Sequence, residues 1–274
     1  MLAPVYTQSF QIGGDARTPA REVEVYATPQ EIDQLVGEGY LVRENFLSPE
    51  QIECLRGAVD EVAARERTDD SDFMKSQRFS GQFLRHLFDK HRAFWELLKF
   101  PPTVSVARAV LGPAVQSRLS ARITFPDVPN QQTQWHYHER TIPNPLPPLF
   151  VFPHSLDVLI YLDDLTDESG PVALVPRTHI GAGSPLKEYD FSEKEGQIVL
   201  RLPAGGGVFI HNNLWHRGMA SGSKATMRRM LALTYSSCWL KNVNDGKPPE
   251  NGLTQELLQT GDSETLELLG VGGY

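Results

Sequence analysis

Cysteine is scarce in this chain, which has two, Cys54 and Cys238, among its 274 residues. Two thiols cannot form the set of disulfides that stabilises small secreted domains, so we expect both to be buried free thiols in a reducing compartment. The N-terminal segment has neither a basic start nor an apolar run, and it lacks the pattern of a secretory signal peptide. These absences favour a cytoplasmic protein.

Long hydrophobic runs and an excess of basic residues are missing as well. No stretch approaches the ~18 consecutive apolar residues that a membrane-spanning helix requires. The 34 acidic residues outnumber the 26 basic ones and give a formal net charge of −8, whereas non-specific nucleic-acid binding depends on clustered Lys and Arg. The composition therefore argues against membrane and nucleic-acid partners and favours a small-molecule substrate, and it carries no signal for an oligomeric state.

No internal repeat, low-complexity tract or long linker divides the chain, so we expect a single domain over residues 1–274. Residues 1–113 are predicted to be largely helical, residues 114–240 to form a β core, and residues 241–274 to form a C-terminal tail. The candidate strands are SRLSARITF, LFVF, LDVLIYL, PVALVP, QIVLRL, GGVFIH and RRMLALTYSS. Short strands without regular helices between them predict a mainly β fold, a jelly-roll core flanked by α-helices.

Capping signals locate the helices of the N-terminal part. Thr28 to Glu31 and Ser48 to Gln51 each have capping-box spacing with Pro at the first helical position, and GYLVRENFL between them predicts a short strand. Further helical patterns run from His91 to Leu98 and from Thr103 to Leu111.

Histidine is concentrated in two segments far apart in the sequence. His136 and His138 lie in QTQWHYHER, and His216 lies in FIHNNLWHRG. Residues two apart on a strand project from the same face, so both imidazoles of the first segment can point at one site that a distant strand completes with His216. The pattern is typical of a metal centre.

Arg228 lies on the strand that follows His216, at an even offset across a hairpin. It can therefore project into the interior, where a guanidinium is suited to bidentate binding of a carboxylate. Arg229 should point the other way, and we expect it to form salt bridges on a solvated face.

Four motifs together resemble a known family. They are GYLVRENFLSPEQIECLRGAVDE, QWHYH, LIYLDDLTDESGPVALVPRTH, and LPAGGGVFIHNNLWHRG followed by RRMLALTY. The chain is similar over Gly39–Tyr235 to the phytanoyl-CoA dioxygenase family, whose members, ectoine hydroxylase among them, are Fe(II)- and 2-oxoglutarate-dependent oxygenases on a cupin-like double-stranded β-helix.

The resemblance implies a hydroxylase that uses Fe(II), 2-oxoglutarate and O2 on a C–H bond of a small molecule. It implies that His136 and His216 bind the iron and that Arg228 binds the far carboxylate of 2-oxoglutarate. Trp135 falls beside the ligand segment and is expected to line the cosubstrate pocket, although a buried core position is an equal alternative.

Other residues are assigned by position. Tyr137, Trp135 and the loop Arg140–Phe152 are candidates for substrate contact, and Arg140 could bind an anion. Turn-forming and core roles, rather than chemistry, are expected for four prominent residues of the third motif: Asp163, Asp164, Gly170 and His179.

The sequence departs from the family pattern His-x-Asp…His, because the Asp position holds His138. One alternative is an iron site of three histidines, which leaves the centre one charge unit more positive. Another is a carboxylate from elsewhere, with Glu139 and Asp157 as candidates. A halide-binding site at this position is disfavoured, because histidine fills the space that a halide would need.

Two other functions remain open from the sequence. A three-histidine dioxygenase that does not use 2-oxoglutarate would employ Arg228 for a substrate carboxylate. A non-catalytic small-molecule-binding barrel would lack stoichiometric iron. Succinate production coupled to O2 uptake separates the first alternative from the 2-oxoglutarate enzyme, and metal content separates the second.

Overall fold

The structure, a computed structural model, describes residues 3–12, 20–67, 81–126, 131–138, 154–180, 186–187, 189–222, 224, 226–240 and 252–271. Its strands are β1 (Tyr6–Phe10), β2 (Arg21–Val25), β3 (Tyr40–Arg43), β4 (Gln82–Leu84), β5 (Val115–Thr124), β6 (Ser155–Tyr161), β7 (Val172–Val175), β8 (Ile198–Leu200), β9 (Gly207–His211), β10 (Trp215–Gly218) and β11 (Arg228–Ser237). Its α-helices are α1 (Pro29–Glu38), α2 (Pro49–Glu66), α3 (Leu87–Lys90), α4 (Pro101–Leu111), α5 (Leu253–Thr260) and α6 (Ser263–Leu268), and a 3-10 helix spans Arg92–Leu97. The predicted strand LFVF lies outside the described residues.

Two antiparallel sheets form the centre of the molecule. The larger has the strand order β3-β9-β6-β11-β5-β4 and the smaller has the order β10-β7-β8. One face of the larger sheet packs against α1, α2 and α4 in the main apolar cluster. Its other face contacts the smaller sheet through Leu159, Val208 and Leu174. The described helices contribute about as many residues as the strands, so the fold is mixed α and β rather than mainly β.

The N-terminal helices begin where the capping boxes predicted. In α1 the Thr28 hydroxyl accepts from the Glu31 amide at 3.2 Å, and the Glu31 carboxylate accepts from the Thr28 amide at 2.7 Å. Ser48 and Gln51 form the same pair of bonds in α2, at 3.2 and 3.0 Å. The short strand predicted between them is β3. The pattern predicted from His91 onward forms the 3-10 helix.

Two features of the N-terminal part differ from the sequence prediction. β1 and β2 pair as an antiparallel hairpin, and Val23 and Val25 of REVEV are buried at alternate positions. The expectation of two buried thiols is wrong for Cys54, which is exposed, because α2 buries the face that carries Leu55. Cys238 is half-buried.

The C-terminal segment contains two helices that dock on the N-terminal ones. Arg92 forms an ion pair with Glu256 at 2.6 Å, and the Asp89 carboxylate accepts from the Thr254 amide at 2.9 Å. The described part of the predicted tail is therefore an integral layer of the fold. Among the described helices, none combines the length and apolar content needed to cross a membrane.

Candidate metal centre

Backbone hydrogen bonds bring the two histidine segments together. The His136 amide donates to the His216 carbonyl at 3.1 Å, and the His216 amide donates to the His136 carbonyl at 3.0 Å. The His138 amide donates to the Asn212 carbonyl at 2.6 Å. The first segment thus lies antiparallel beside β10, and side chains two residues apart point to one side.

The three imidazoles form a compact cluster. One nitrogen from each of His136, His138 and His216 lies within 4.8 Å of the others. The ring centroids of His136 and His216 are 4.2 Å apart, and those of His138 and His216 are 4.8 Å apart. These nitrogens could hold one metal ion, and metal–nitrogen bonds of ~2.0–2.1 Å would then bring each pair to within ~4.2 Å.

The hydrogen bonds of the rings show which nitrogen is available. Nδ1 of His136 and Nδ1 of His216 each lie against the carbonyl oxygen two residues earlier, at 2.9 and 2.8 Å. Nδ1 of His138 lies 2.6 Å from Oδ2 of Asp157. Carbonyl and carboxylate oxygens only accept, so each Nδ1 carries a proton and Nε2 is the ring nitrogen left to bind a metal. The donor set fits a divalent iron ion.

The environment keeps two of these ligands neutral. Burial and the neighbouring imidazoles lower the pKa of His136 well below its ordinary value. Burial and His138 lower the pKa of His216 to about 3. Both rings are therefore neutral at about pH 7, with one nitrogen unprotonated, and this is the state in which histidine binds a metal.

Asp157 lies behind the cluster. Its Oδ2 accepts from His138 and its Oδ1 accepts from the Thr234 hydroxyl at 2.5 Å. Burial opposes its ionisation, but the neighbouring His138 and these hydrogen bonds hold its pKa at about 2. The geometry thus groups His138, and not Asp157, with the other two histidines. Glu139 lies outside the described residues.

Two arginines reach the same interior from neighbouring strands. Arg228 on β11 is buried, and its Nη1 donates to the Gly170 carbonyl. Arg122 on β5 is in register with the residue two positions after Arg228. Burial, with the charge of Arg228, lowers the pKa of Arg122 to about 10. Within the described ranges no carboxylate pairs with either guanidinium, so this region can accept an anion.

A cavity of about 920 Å³ joins the histidine cluster to the arginines. Part of its wall is the inner face of the larger sheet. There β5 contributes a polar side chain at every second position: Gln116, Arg118, Ser120 and Arg122. This volume is in the range of pockets that hold small ligands, ~300–1,000 Å³.

The other predicted site residues have separate positions. Tyr137 lines the cavity. Trp135 does not: it is 1% exposed, packs against Ala173 and Val175, and donates its indole N–H to the Ser192 carbonyl at 2.7 Å. Its prediction as a cosubstrate or substrate contact is therefore replaced by the core alternative. Arg140 lies outside the described residues, as does the whole Arg140–Phe152 loop.

The residues predicted to be structural have structural contacts. Arg229 forms ion pairs with Asp60 and Asp163 at 2.7 and 2.8 Å, on the opposite face from its neighbour. Asp164 accepts from the Ala204 amide at 2.8 Å. His179 is buried with Nε2 against the Val36 carbonyl at 2.9 Å. Gly170 has φ of 84°, and its carbonyl accepts from the buried arginine of β11.

Sequence reasoning missed Arg118, Arg122 and the pairing of Asp157 with His138. A signal for the arginines was present, because SRLSARITF alternates polar and apolar residues and Arg occupies two positions of the polar face. Asp157 and His138 are paired only by the tertiary structure, which no local pattern encodes.

Comparisons with known proteins identify the family of the chain. A sequence model of the phytanoyl-CoA dioxygenase (PhyH) family matches residues 36–230. Phytanoyl-CoA dioxygenase domain-containing protein 1 of Danio rerio is 25% identical over 288 residues, which cover 84% of this chain and 96% of that protein.

Solved structures share the fold. HygX from Streptomyces hygroscopicus, with nickel and 2-oxoglutarate bound, has a TM-score of 0.63 at 12% identity, over 84% of this chain and 98% of that one. The epimerase SnoN, in complex with Fe3+, alpha ketoglutarate and nogalamycin RO, has a TM-score of 0.59 at 15% identity, over 81% and 93%.

Proposed function

The chain belongs to the phytanoyl-CoA dioxygenase family of Fe(II)/2-oxoglutarate oxygenases, and from this premise we propose that it hydroxylates a C–H bond of a small molecule. In this proposal the two sheets form the family's double-stranded β-helix, and His136, His138 and His216 hold one Fe(II). The observation that carries the proposal is the convergence of three imidazoles in a cavity that buried arginines also line.

Arg228 and Arg122 fit the far end of 2-oxoglutarate. A dicarboxylate brings two negative charges into a region where two guanidiniums lack carboxylate partners among the described residues, so binding compensates their burial. Burial raises the pKa of Tyr161 to about 12 against the opposing effect of the two arginines. Its hydroxyl therefore stays protonated and can donate to a carboxylate oxygen.

Iron held by these histidines would supply, with 2-oxoglutarate and O2, the oxidising chemistry: one oxygen atom would enter succinate as CO2 is released, and the other would enter the substrate C–H bond as hydroxyl. The protein supplies geometry. The carbonyl acceptors hold the His136 and His216 rings in one tautomer, and Arg228 orients the cosubstrate.

The substrate is expected on the side of the cluster away from Arg228. There the cavity is lined by Arg118, Tyr137 and Gln116. Polar and cationic side chains at this end favour a polar substrate with an acidic group. Among the described residues we propose Arg118 to bind it, and the predicted role of Arg140 stays a prediction.

Anaerobic reconstitution of the metal-free protein tests the proposal. We expect about one Fe(II) per chain and slow O2 uptake that requires 2-oxoglutarate and yields equimolar succinate, even without a primary substrate. His216→Ala should abolish both, whereas His154→Ala, a histidine outside the cavity, should leave both unchanged. Iron binding without succinate would favour the three-histidine dioxygenase. A ligand set made only of histidines supports that alternative. A lack of stoichiometric iron would favour the binding barrel.

A further inference from the structure

The three imidazoles differ in the group that accepts the hydrogen bond from Nδ1. His136 and His216 donate from Nδ1 to neutral carbonyl oxygens of their own segments. His138 donates to a carboxylate, that of Asp157, from a different strand. The one ring with an anionic partner is thus the ring at the position where the family pattern has an aspartate.

We propose that Asp157 supplies, through His138, the negative charge that the family places directly on the metal. Asp157 is then a positioning residue that orients the His138 ring and makes its Nε2 a stronger donor. This inference rests on the proposed iron site. In it the carboxylate does not bind the metal directly but lies one imidazole further away, behind His138.

The position of Asp157 is tightly fixed. It lies on β6, is 4% exposed, and has both oxygens engaged, Oδ2 with His138 at 2.6 Å and Oδ1 with Thr234 at 2.5 Å. Thr234 is its partner in the register of β6 and β11. A carboxylate held on both oxygens cannot turn toward the cluster, so its effect on an ion passes through the imidazole.

Charge balance gives a reason for the arrangement. A site of three neutral imidazoles leaves the full charge of a divalent ion uncompensated in a buried place, which is unfavourable. A carboxylate hydrogen-bonded to a ligand histidine raises the basicity of that ligand and offsets part of the charge, and loss of such a partner typically weakens metal binding ~10–100-fold. The Asp157 carboxylate, itself buried, is in turn stabilised by the cationic site that it serves.

Asp157→Asn tests this directly, because Asn keeps the shape and an acceptor oxygen but removes the charge. Metal affinity is measured by equilibrium titration of the metal-free protein with Co(II), and anaerobically with Fe(II), against a competing chelator. We expect affinity to fall ~10–100-fold, and the Fe(III)/Fe(II) potential to rise because the oxidised ion loses more from the missing charge. Thr234→Val, which keeps the carboxylate, should change affinity less than about threefold.

A second variant separates charge from mere structural damage. His138→Asp restores the family's ligand but sets two carboxylates against each other, so we expect it to bind Co(II) weakly. Adding Asp157→Asn removes the repulsion, and the double variant should bind Co(II) more tightly than His138→Asp alone. The same Asp157→Asn change thus weakens binding in one background and strengthens it in the other, which loss of packing cannot produce.

The outcomes are distinguishable from failure of the proposed function. If the unaltered protein binds iron and forms succinate but Asp157→Asn leaves metal affinity and potential unchanged, this inference is wrong and the oxygenase assignment stands. An equal loss of affinity from Asp157→Asn in both backgrounds would also overturn it. If the unaltered protein binds no iron, both are overturned.

Discussion

Arg228 and Arg229 are neighbours on β11 whose side chains project from opposite faces of the sheet. Substitution of one is therefore a matched control for substitution of the other. Arg228 is 7% exposed, and within the described chain it pairs with no carboxylate. Arg229 pairs with Asp60 and Asp163 on the outer face. We expect Arg228→Gln to weaken cosubstrate binding without lowering the stability of the ligand-free protein, and Arg229→Gln to lower that stability without changing cosubstrate binding.

The magnitudes follow from the contacts. Hydrogen bonds to charged groups contribute ~1.5–3 kcal/mol each, so losing a two-point contact to a carboxylate should cost about 3 kcal/mol or more. Since 1.4 kcal/mol is tenfold, the Kd for 2-oxoglutarate should rise more than about a hundredfold. Arg228→Gln also removes a buried charge whose pKa burial lowers, so the ligand-free protein should be at least as stable as the parent. Arg229→Gln should lower that stability by about 1 kcal/mol, because solvent screens the exposed Asp60.

The assay is denaturant unfolding of the Ni(II)-loaded protein with and without 2-oxoglutarate. At a concentration of about 100 times the parent Kd, the ligand should stabilise the parent and Arg229→Gln by about 2.7 kcal/mol, and Arg228→Gln by less than about 0.5 kcal/mol. Equal ligand stabilisation of all three proteins would refute the assignment of Arg228. Without ligand, Arg228→Gln should not destabilise the protein more than Arg229→Gln does. A larger loss of stability in Arg228→Gln would refute the view that Arg228 is an uncompensated buried cation.

Three further outcomes are expected. Arg122→Met should weaken 2-oxoglutarate binding about tenfold, less than loss of Arg228, and raise the stability of the ligand-free protein in the same unfolding assay. Gly170→Ala should lower stability by about 1–3 kcal/mol, because φ is +84° and the new Cβ would lie 2.5 Å from the Met219 carbonyl oxygen; it should also weaken 2-oxoglutarate binding by displacing Arg228. Burial lowers the pKa of His179 in the folded state, so its contribution is complete above the unfolded pKa of ~6.5 and is lost below it. The stability advantage of the metal-free parent over His179→Gln should shrink by up to about 1.4 kcal/mol between about pH 7.5 and about pH 5.5, and an advantage independent of pH would contradict this.

Local patterns located what depends on local geometry. The capping boxes at Thr28 and Ser48 placed two helices, because the signal and the structure involve the same four residues. The even spacing of His136 and His138 predicted a shared face for the same reason. The opposite directions of Arg228 and Arg229 also follow from strand alternation alone.

What local patterns missed depends on strand register. Thr234 is 77 residues from Asp157, and their pairing follows from the alignment of β6 with β11. The role of Trp135 was ambiguous from the sequence. Strand alternation predicts that its side chain points away from that of His136, but it does not predict what lies on that side. The structure places the smaller sheet there, so Trp135 is a core residue.

The register of three strands orders the whole site along one axis. Arg228 begins β11, Met230 is paired with both Arg122 and Tyr161, and Thr234 is paired with Asp157. At ~3.3 Å per residue, the six positions from Arg228 to Thr234 span about 20 Å. In the proposed site that distance would accommodate, in this order, a guanidinium, a dicarboxylate, an ion, an imidazole and a carboxylate. Cations and anions alternate along this line, so a change at Asp157 should be felt in 2-oxoglutarate binding at Arg228 only when metal is present. A cosubstrate affinity in Asp157→Asn that falls equally without metal would show that the two ends are coupled through the sheet and not through the ion.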